Sequence, residues 1–302
     1  QWYVRPMPDS IFDALASTAQ SLRVAAELFV FSGFIFCSIA LLVKGDEAVA
    51  AARRALGQLR LNTQFYVFDA VLVGPLMGLL VHVIRGTVES HGWQVASGED
   101  WDTVGAPLTG FAAVFLGDFS SYWRHRLEHT RLLWPSHAIH HSDPDMSWLT
   151  LARFHPINRL TTSVCDITFL AVLGLPSWAL IVNELVRHYY GEFIHADLPW
   201  TYGSRVSRLL VSPVMHQWHH IRDVDGSGYN FATVFSVFDQ AFGTYHMPGR
   251  CTVPLGVNDD IGDGLVDQLS YPFVSWAEAL GWRQHHASSE VTRAQERATR
   301  DQ

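Results

Sequence analysis

Residues 24–43 read VAAELFVFSGFIFCSIALLV, an apolar run in which Glu27 is the only charge. A second run of the same kind, residues 65–84, reads FYVFDAVLVGPLMGLLVHVI and has Asp69 as its only charge. A helix needs about 20 mostly apolar residues to cross the hydrocarbon core of a bilayer. Both runs meet this length, so they predict membrane-spanning helices rather than buried helices of a soluble protein.

Two further apolar runs follow along the chain. Residues 107–123 form a shorter run that contains Asp118, and residues 163–186 form a longer run interrupted by Gly174-Leu175-Pro176. Because proline removes a helical hydrogen bond, the fourth run predicts a helical hairpin or a kinked re-entrant pair. We therefore expect an all-α fold, a polytopic membrane helical bundle of about four transmembrane helices or helical hairpins.

The charges of the loops predict the orientation of this bundle. Residues 44–64 are basic and residues 85–106 are acidic, whereas the third run leads into Arg124, Arg126 and Arg131. Cytoplasmic loops carry an excess of lysine and arginine. We therefore expect a multi-pass membrane protein in which everything after the third run, including a histidine-rich cap, lies on the cytoplasmic side.

The composition agrees with membrane residence and excludes some functions. Only 17% of the 302 residues are charged, against about 25% in a typical soluble domain. A net charge of −8 argues against nucleic acid as a partner. The three cysteines form no CxxC pair, so they predict neither a thiolate zinc site nor a disulfide framework.

We divide the chain into three regions by these patterns. Residues 1–106 are predicted to anchor the protein in the membrane, and residues 107–250 to form the catalytic region. Residues 251–302 are predicted to form an interfacial segment, with an amphipathic helix at 271–282, followed by a polar tail from Gln284.

Histidine dominates the middle of the chain, where 11 of the 16 histidines fall between His125 and His220. They form one HxxxH box and two HxxHH boxes. On a helix, residues at i, i+3 and i+4 share one face, so each box presents two or three imidazoles in one direction. Ser212-Pro213 is typical of a helix start and places the third box on the first turns of a helix. Ser142-Asp143-Pro144 is expected to end the helix of the second box.

The number of imidazoles indicates two metal ions. A tetrahedral zinc site takes four ligands and an octahedral site takes six, whereas the boxes supply eight histidines. Imidazole binds iron, zinc, copper and nickel, so the spacing alone does not choose the metal. Glu128 is the only glutamate inside a box, and we expect it to point away from the ligand face. The eight box histidines are His125, His129, His137, His140, His141, His216, His219 and His220.

With these boxes and their flanking residues, the sequence resembles the fatty acid hydroxylase/sterol desaturase superfamily of integral membrane di-iron oxidases. Asp118 to His129 is similar to the family motif D-x-x-x-Y-W-x-H-R-x-x-H, and Arg153 to Pro156 to its R-x-H-P step. Glu192 to His195 resembles an F-I-H element, and Tyr229 to Tyr245 resembles the closing segment. The chain departs from the family after the third box, where Phe231 replaces a glycine, and this leaves the substrate more open than the metal site.

The resemblance implies His195 as a ninth metal ligand beside the eight box histidines. It also implies two iron ions, for which zinc can substitute in a purified sample, and O2 as co-substrate. The expected activity is hydroxylation of an unactivated C–H bond in a membrane lipid, either a fatty acyl lipid, a sterol-like ring or a carotenoid. No cofactor motif for electron supply is seen in the chain, so we expect a separate donor, a reductase with a ferredoxin or cytochrome b5-like carrier.

Several residues around the boxes are candidates for supporting roles. Metal-bound histidines usually donate their other ring N–H to a carboxylate or carbonyl. The candidates for that role or for additional ligands are His188, His155, Asp118, Asn230 and Asp239. Arg205 and Arg208, which lie near Trp200 and Tyr202, are candidates for binding lipid headgroups or for lying at the membrane surface.

Other functions remain open on the sequence. Abstraction of a second hydrogen at the same site would make the protein a lipid desaturase. A membrane protein that binds metal without redox chemistry is a less favoured alternative, because it would place histidines and acids along several spans. A zinc hydrolase is disfavoured, since the chain has no HExxH motif.

Overall fold

A computed structural model describes residues 11–222 and 228–281 of the chain. These residues form α-helices joined by turns and irregular loops, two five-residue π-helical segments (Asp69–Val73 and Ser163–Ile167) and a 3₁₀ segment (Trp148–Ala152). The described part contains no strand beyond one isolated bridge between Ile221 and Leu255. The all-α prediction is therefore confirmed for these residues. The helices are α1 (Ile11–Lys44), α2 (Asp46–Arg54), α3 (Leu56–Phe68), α4 (Gly74–Ser90), α5 (Gly98–Val104), α6 (Ala106–Glu128), α7 (Trp134–His141), α8 (Pro156–Thr162), α9 (Thr168–Val172), α10 (Ser177–His195), α11 (Gly203–Val206), α12 (Pro213–His219), α13 (Val237–Ala241) and α14 (Leu265–Ala279).

Two helical stretches among the described residues are long and apolar enough to cross a membrane. They are Leu22–Lys44 within α1 and Leu56–Ser90, which joins α3, the first π segment and α4. Only 11% and 6% of their most apolar windows are buried, and apolar side chains such as Phe34 and Leu42 are exposed. A helix in a soluble core would bury these side chains. The predicted runs at 24–43 and 65–84 therefore correspond to these two stretches, the second being longer than predicted.

The third and fourth apolar runs have more buried surface and pack on one another. α6 contains the third run and lies against α10, with Gly117 of α6 facing Asn183 of α10. A Cβ at Gly117 would lie 2.1 Å from the Asn183 side-chain oxygen, so only glycine permits this approach. These two helices hold the first histidine box and His195, and their packing sets the distance between them.

The fourth run folds as two helical pieces joined by a turn. α9 ends at Val172 and α10 begins at Ser177, with Pro176 immediately before it. Gly174 in the turn has a φ of +69°, and a Cβ there would lie 1.7 Å from the backbone oxygen of Ala96. The interruption predicted at Gly174-Leu175-Pro176 is therefore present, because the backbone needs glycine there and proline starts the next helix.

An aromatic and aliphatic core lies beside the histidines. It brings Tyr122 of α6, Ile194 of α10 and Met215 of α12 together with Phe231 and Phe238. Each of these side chains is at most 6% exposed. The core therefore fixes the helices that carry the first and third boxes against the closing segment that follows the third box.

The chain divides into two compact units, Gln1–Asp260 and Ile261–Gln302. In the second unit α14 starts six residues before the amphipathic helix predicted at 271–282 and ends at Ala279. The predicted polar tail from Gln284 lies outside the described residues. The region boundaries at 106/107 and 250/251 stay predictions.

Candidate metal centre

Three helices, α6, α7 and α12, carry the histidine boxes. The first box lies at the C-terminal end of α6, where His125 is in the last turn and His129 caps the helix. The second lies on α7, which begins at Trp134, has Pro135 in its first turn and ends at His141, as Ser142-Asp143-Pro144 predicted. The third lies on α12, where the Ser212 hydroxyl accepts a hydrogen bond from the Met215 N–H. The predicted N-cap at Ser212 is confirmed.

The structure brings all nine predicted ligands together in two groups. Within each group the candidate ligand atoms lie within 4.8 Å of one another. The two groups share α7 and α12, so each of these helices contributes to both. The five-histidine group contains His125, His129, His137, His141 and His219, and the four-histidine group contains His140, His195, His216 and His220.

The nitrogen spacing in the four-histidine group suits a metal ion. The Nε2 atom of His195 lies 2.9 Å from that of His216 and 3.2 Å from that of His140. The His220 and His216 Nε2 atoms are also 3.2 Å apart. Ligand nitrogens about 2.0–2.1 Å from one ion lie about 3.0–3.4 Å from each other. The four Nε2 atoms are therefore spaced as the ligands of one ion would be.

The five-histidine group has ring nitrogens that lack hydrogen-bond partners among the described residues. They are both ring nitrogens of His129 and the Nε2 atoms of His141 and His219. A buried imidazole nitrogen without a partner is costly. The His219 ring centroid lies 4.5 to 4.9 Å from those of His125, His141 and His129. Unpaired nitrogens converging this closely are what a metal ion would satisfy.

Three histidines are oriented by backbone carbonyls. His125, His195 and His219 donate from Nδ1 to the oxygens of Phe231, Gly191 and Tyr229 over 2.8, 2.6 and 2.7 Å. A carbonyl only accepts, so the proton of each neutral ring is on Nδ1. The Nε2 lone pair of each ring is then free to point into its group, which is how metal-bound histidines are usually held.

Burial keeps the candidate ligands uncharged at neutral pH. His125 and His129 are partly exposed, whereas the other seven are buried. Removal from water lowers the pKa of His195 and His219 to about 4, and lowers the pKa of His140 well below its ordinary range. Neutral imidazole is the form that binds metal, so no proton has to leave these rings at pH 7.

Two of the predicted supporting acids, Asp118 and Asp239, bind backbone N–H groups beside the histidine groups and not a histidine side chain. Asp118 accepts hydrogen bonds from the backbone N–H groups of Thr233, Val234 and Phe235 at 3.1, 3.0 and 2.7 Å. Asp239 accepts from those of Phe231 and Ala232 at 2.7 and 3.2 Å. Both carboxylates are buried. They fix residues 231–235, whose first carbonyl orients His125.

Asn230 joins the third box to the closing segment. Its side-chain nitrogen donates to the carbonyl of Met215 at 2.9 Å and to that of His246 at 2.6 Å. Its side-chain oxygen accepts from the His246 N–H at 2.8 Å. Its φ of +58° is uncommon for a residue other than glycine. Asn230 therefore positions α12 rather than joining either histidine group.

The remaining predicted residues lie outside both groups. His155 is buried and accepts a hydrogen bond at Nδ1 from the Ile157 N–H, so it caps α8. His188 has a side chain that is 39% exposed and lies 3.5 Å from Glu192. Arg205 and Arg208 are exposed. The structure thus gives His155 a helix-capping position, and a role in lipid binding stays a prediction for the two arginines.

Glu128 is in neither histidine group, in agreement with the expectation that it points away from the ligand face. It is nevertheless fully buried, and its carboxylate is 3.6 Å from Nδ1 of His137. The sequence did not predict this contact, because the expectation considered α6 alone and His137 comes from α7. Asn158, on α8, approaches the same Nδ1 at 3.3 Å and was not predicted. The feature of the sequence that could have drawn attention to Glu128 is its position inside a histidine box.

The site matches a known family. Residues 110–244 match the family model described as fatty acid hydroxylase, which confirms the resemblance predicted from the boxes. The matched segment contains all nine candidate ligands. No solved structure matches the chain.

Curated relatives agree with this family at low identity. An ornithine lipid hydroxylase of Rhizobium tropici is 26% identical over 77% of this chain and 63% of its own length. Human alkylglycerol monooxygenase is 32% identical over 48% of this chain and 32% of its own length. A Delta(7)-sterol 5(6)-desaturase of Gibberella zeae is 28% identical over 43% of this chain and 36% of its own length. The chain thus spans less than two thirds of the length of each of these three relatives.

Proposed function

We propose that this protein is an O2-dependent, membrane-bound lipid hydroxylase that uses two iron ions held by the nine histidines. The observation that carries the proposal is the convergence of these histidines into groups of five and four, each with neutral imidazoles. The family match and the relatives named as hydroxylase and monooxygenase support the choice of reaction.

The donor set fits ions that bind imidazole, iron among them. When bound, the two irons would supply the reduction of O2 and the oxidation of an unactivated C–H bond. The balanced reaction consumes the lipid, O2, two electrons and two protons, and gives an alcohol and water. The carbonyls of Phe231, Gly191 and Tyr229 keep three of the rings in the ligating tautomer.

The exposure pattern indicates the side from which substrate approaches. His125 and His129 are the partly exposed members of the nine. The partly exposed ring of Trp134 lies 5.1 Å from the ring of His129. An apolar surface beside the accessible ligands suits a hydrocarbon chain. We place the reacting C–H bond next to the five-histidine group.

The membrane position and the partners follow from the same proposal. α1 and the α3–α4 stretch would anchor the protein, and the basic residues 44–64 would place the metal centre on the cytoplasmic side. The substrate would be a membrane lipid that enters from the bilayer. The electrons would come from a separate reductase with a ferredoxin or cytochrome b5-like carrier.

Comparative lipidomics would test the proposal. Cells that express the wild-type protein should accumulate lipids 16 Da heavier than those in cells that express His219→Ala. The relative named as a sterol desaturase favours desaturation as the second candidate, and it would instead give products 2 Da lighter. Identical lipid profiles in the two cell lines would contradict both reactions.

A further inference from the structure

His137, a member of the five-histidine group, has an outer nitrogen that faces side chains on two other helices. The Asn158 side-chain nitrogen is 3.3 Å from Nδ1 of His137, and the Glu128 Oε2 atom is 3.6 Å from it. All three residues are at most 1% exposed. In the dry interior an interaction of this kind sets the position of the imidazole proton.

Glu128 is held rigidly beside His137. Its Oε2 atom accepts a hydrogen bond from Arg124 at 2.7 Å, and its Oε1 atom accepts one from the Thr161 hydroxyl. The Arg124 side chain also donates to Asp166 at 3.1 Å. The Glu128 carboxylate, paired with the Arg124 guanidinium, is therefore fixed next to Nδ1 of His137.

The Asn158 amide determines which nitrogen of His137 can bind metal. With its N–H toward Nδ1, the imidazole proton must sit on Nε2, where the His125 Nε2 atom lies 3.0 Å away. A protonated Nε2 cannot be a ligand. The Asn158 side-chain oxygen has no hydrogen-bond partner among the described residues. Turning the amide by 180°, a change that its shape allows, presents this oxygen to Nδ1 and moves the proton there.

We propose that Asn158 and Glu128 are positioning residues that keep the proton of His137 on Nδ1, so that its Nε2 binds the metal of the five-histidine group. This inference rests on the metal-binding part of the proposed function. Asn158 accepts the Nδ1–H directly, and the Glu128 carboxylate favours the same tautomer by its charge. Partners of metal-bound histidines change metal affinity by about 10- to 100-fold when replaced.

Isosteric variants separate this role from packing. Asn158→Asp keeps an acceptor and loses the donor, Asn158→Leu removes both, and Glu128→Gln removes the charge. Asp166→Asn is the matched control, because it removes the carboxylate on the far side of Arg124. The full-length protein in detergent is titrated with Co²⁺, and bound metal is followed by elemental analysis and by the visible Co²⁺ spectrum.

We expect wild type, Asn158→Asp and Asp166→Asn to bind two Co²⁺ ions. Asn158→Leu should bind one ion with wild-type affinity and the second about 10- to 100-fold more weakly, and Glu128→Gln should weaken the same ion. The inference is overturned if Asn158→Leu and Glu128→Gln both bind two ions normally, or if Asn158→Asp loses the second ion as fully as Asn158→Leu. Wild-type protein that binds fewer than two ions would instead overturn the two-metal proposal.

Discussion

Replacing His219 by alanine should remove metal from the five-histidine group while the four-histidine group keeps its ion. His219 is fully buried, and its ring lies within 4.9 Å of the rings of His125, His129 and His141. Replacing only the hydrogen-bond partner of a metal-bound histidine can lower metal affinity by roughly 100-fold. Loss of one of the five ligands themselves should lower the affinity by at least this factor. We therefore expect one bound ion per chain and no lipid oxidation.

Weaker metal binding should also reduce the amount by which metal stabilises the folded protein. Metal that binds only the folded state stabilises it by RT ln(1 + [L]/Kd), so a 100-fold weaker site loses about 2.7 kcal/mol. The assay compares unfolding of wild type and variant with and without excess chelator. The difference between these conditions should shrink by about this amount in His219→Ala.

An exposed histidine provides the control. His91 lies outside both groups and its ring nitrogen bonds only locally, to Thr87 and Ser90. His91→Ala should keep both ions and full activity. Full metal content and normal turnover in His219→Ala would refute the assignment of the third box to the metal centre, and an equal loss in His91→Ala would show that the assay reports general damage.

Three further predictions concern the fold that holds the site. Phe34→Lys should reduce membrane insertion of α1. It replaces a 73% exposed apolar side chain by one that costs about 2.5–3.5 kcal/mol at the centre of a membrane helix. A glycosylation-mapping assay measures insertion, and unchanged insertion would contradict a spanning α1. Gly174→Ala should lower the thermal midpoint of unfolding, because the backbone oxygen of Ala96 occupies the position of a Cβ. Gly78→Ala has open space around the added Cβ and should raise the midpoint. Equal midpoints for the two variants would refute the assigned turn. Arg153→Leu should destabilise the protein by about 3–5 kcal/mol. The buried guanidinium of Arg153 donates to Asn62, Ser142 and Gln58 and faces Asp143. Chemical denaturation measures the change in stability, and a value below about 1 kcal/mol would contradict the prediction.

The histidine spacing predicted the nine candidate ligands but not their division into two groups. On α12, His216 and His220 join one group and His219 joins the other. A helix turns about 100° per residue, so residues four apart stay close in direction while the residue between them diverges. α7 shows the same division, with His137 and His141 separated from His140. Which group each pair faces depends on how α7 and α12 pack, which no single helix encodes.

Long-range contacts explain the other differences from the sequence predictions. The heptad spacing of Asp118 and His125 suggested a direct contact, but the carboxylate instead bonds the backbone of residues 233–235, more than a hundred positions away. Glu128 faces His137 because α6 and α7 meet at their ends. In contrast, the Ser212 cap and the break before Pro176 depend on local chemistry, and the sequence was sufficient to predict both.

The most direct test of the proposed function is a reaction of the purified, iron-loaded protein with ¹⁸O2, a chemical or enzymatic electron donor and a panel of membrane lipids. We expect wild type to form a hydroxylated lipid that carries one ¹⁸O atom, and His219→Ala to form none. Iron-loaded wild-type protein that consumes electrons and O2 but leaves every lipid unmodified would contradict it, as would a hydroxyl oxygen derived from water.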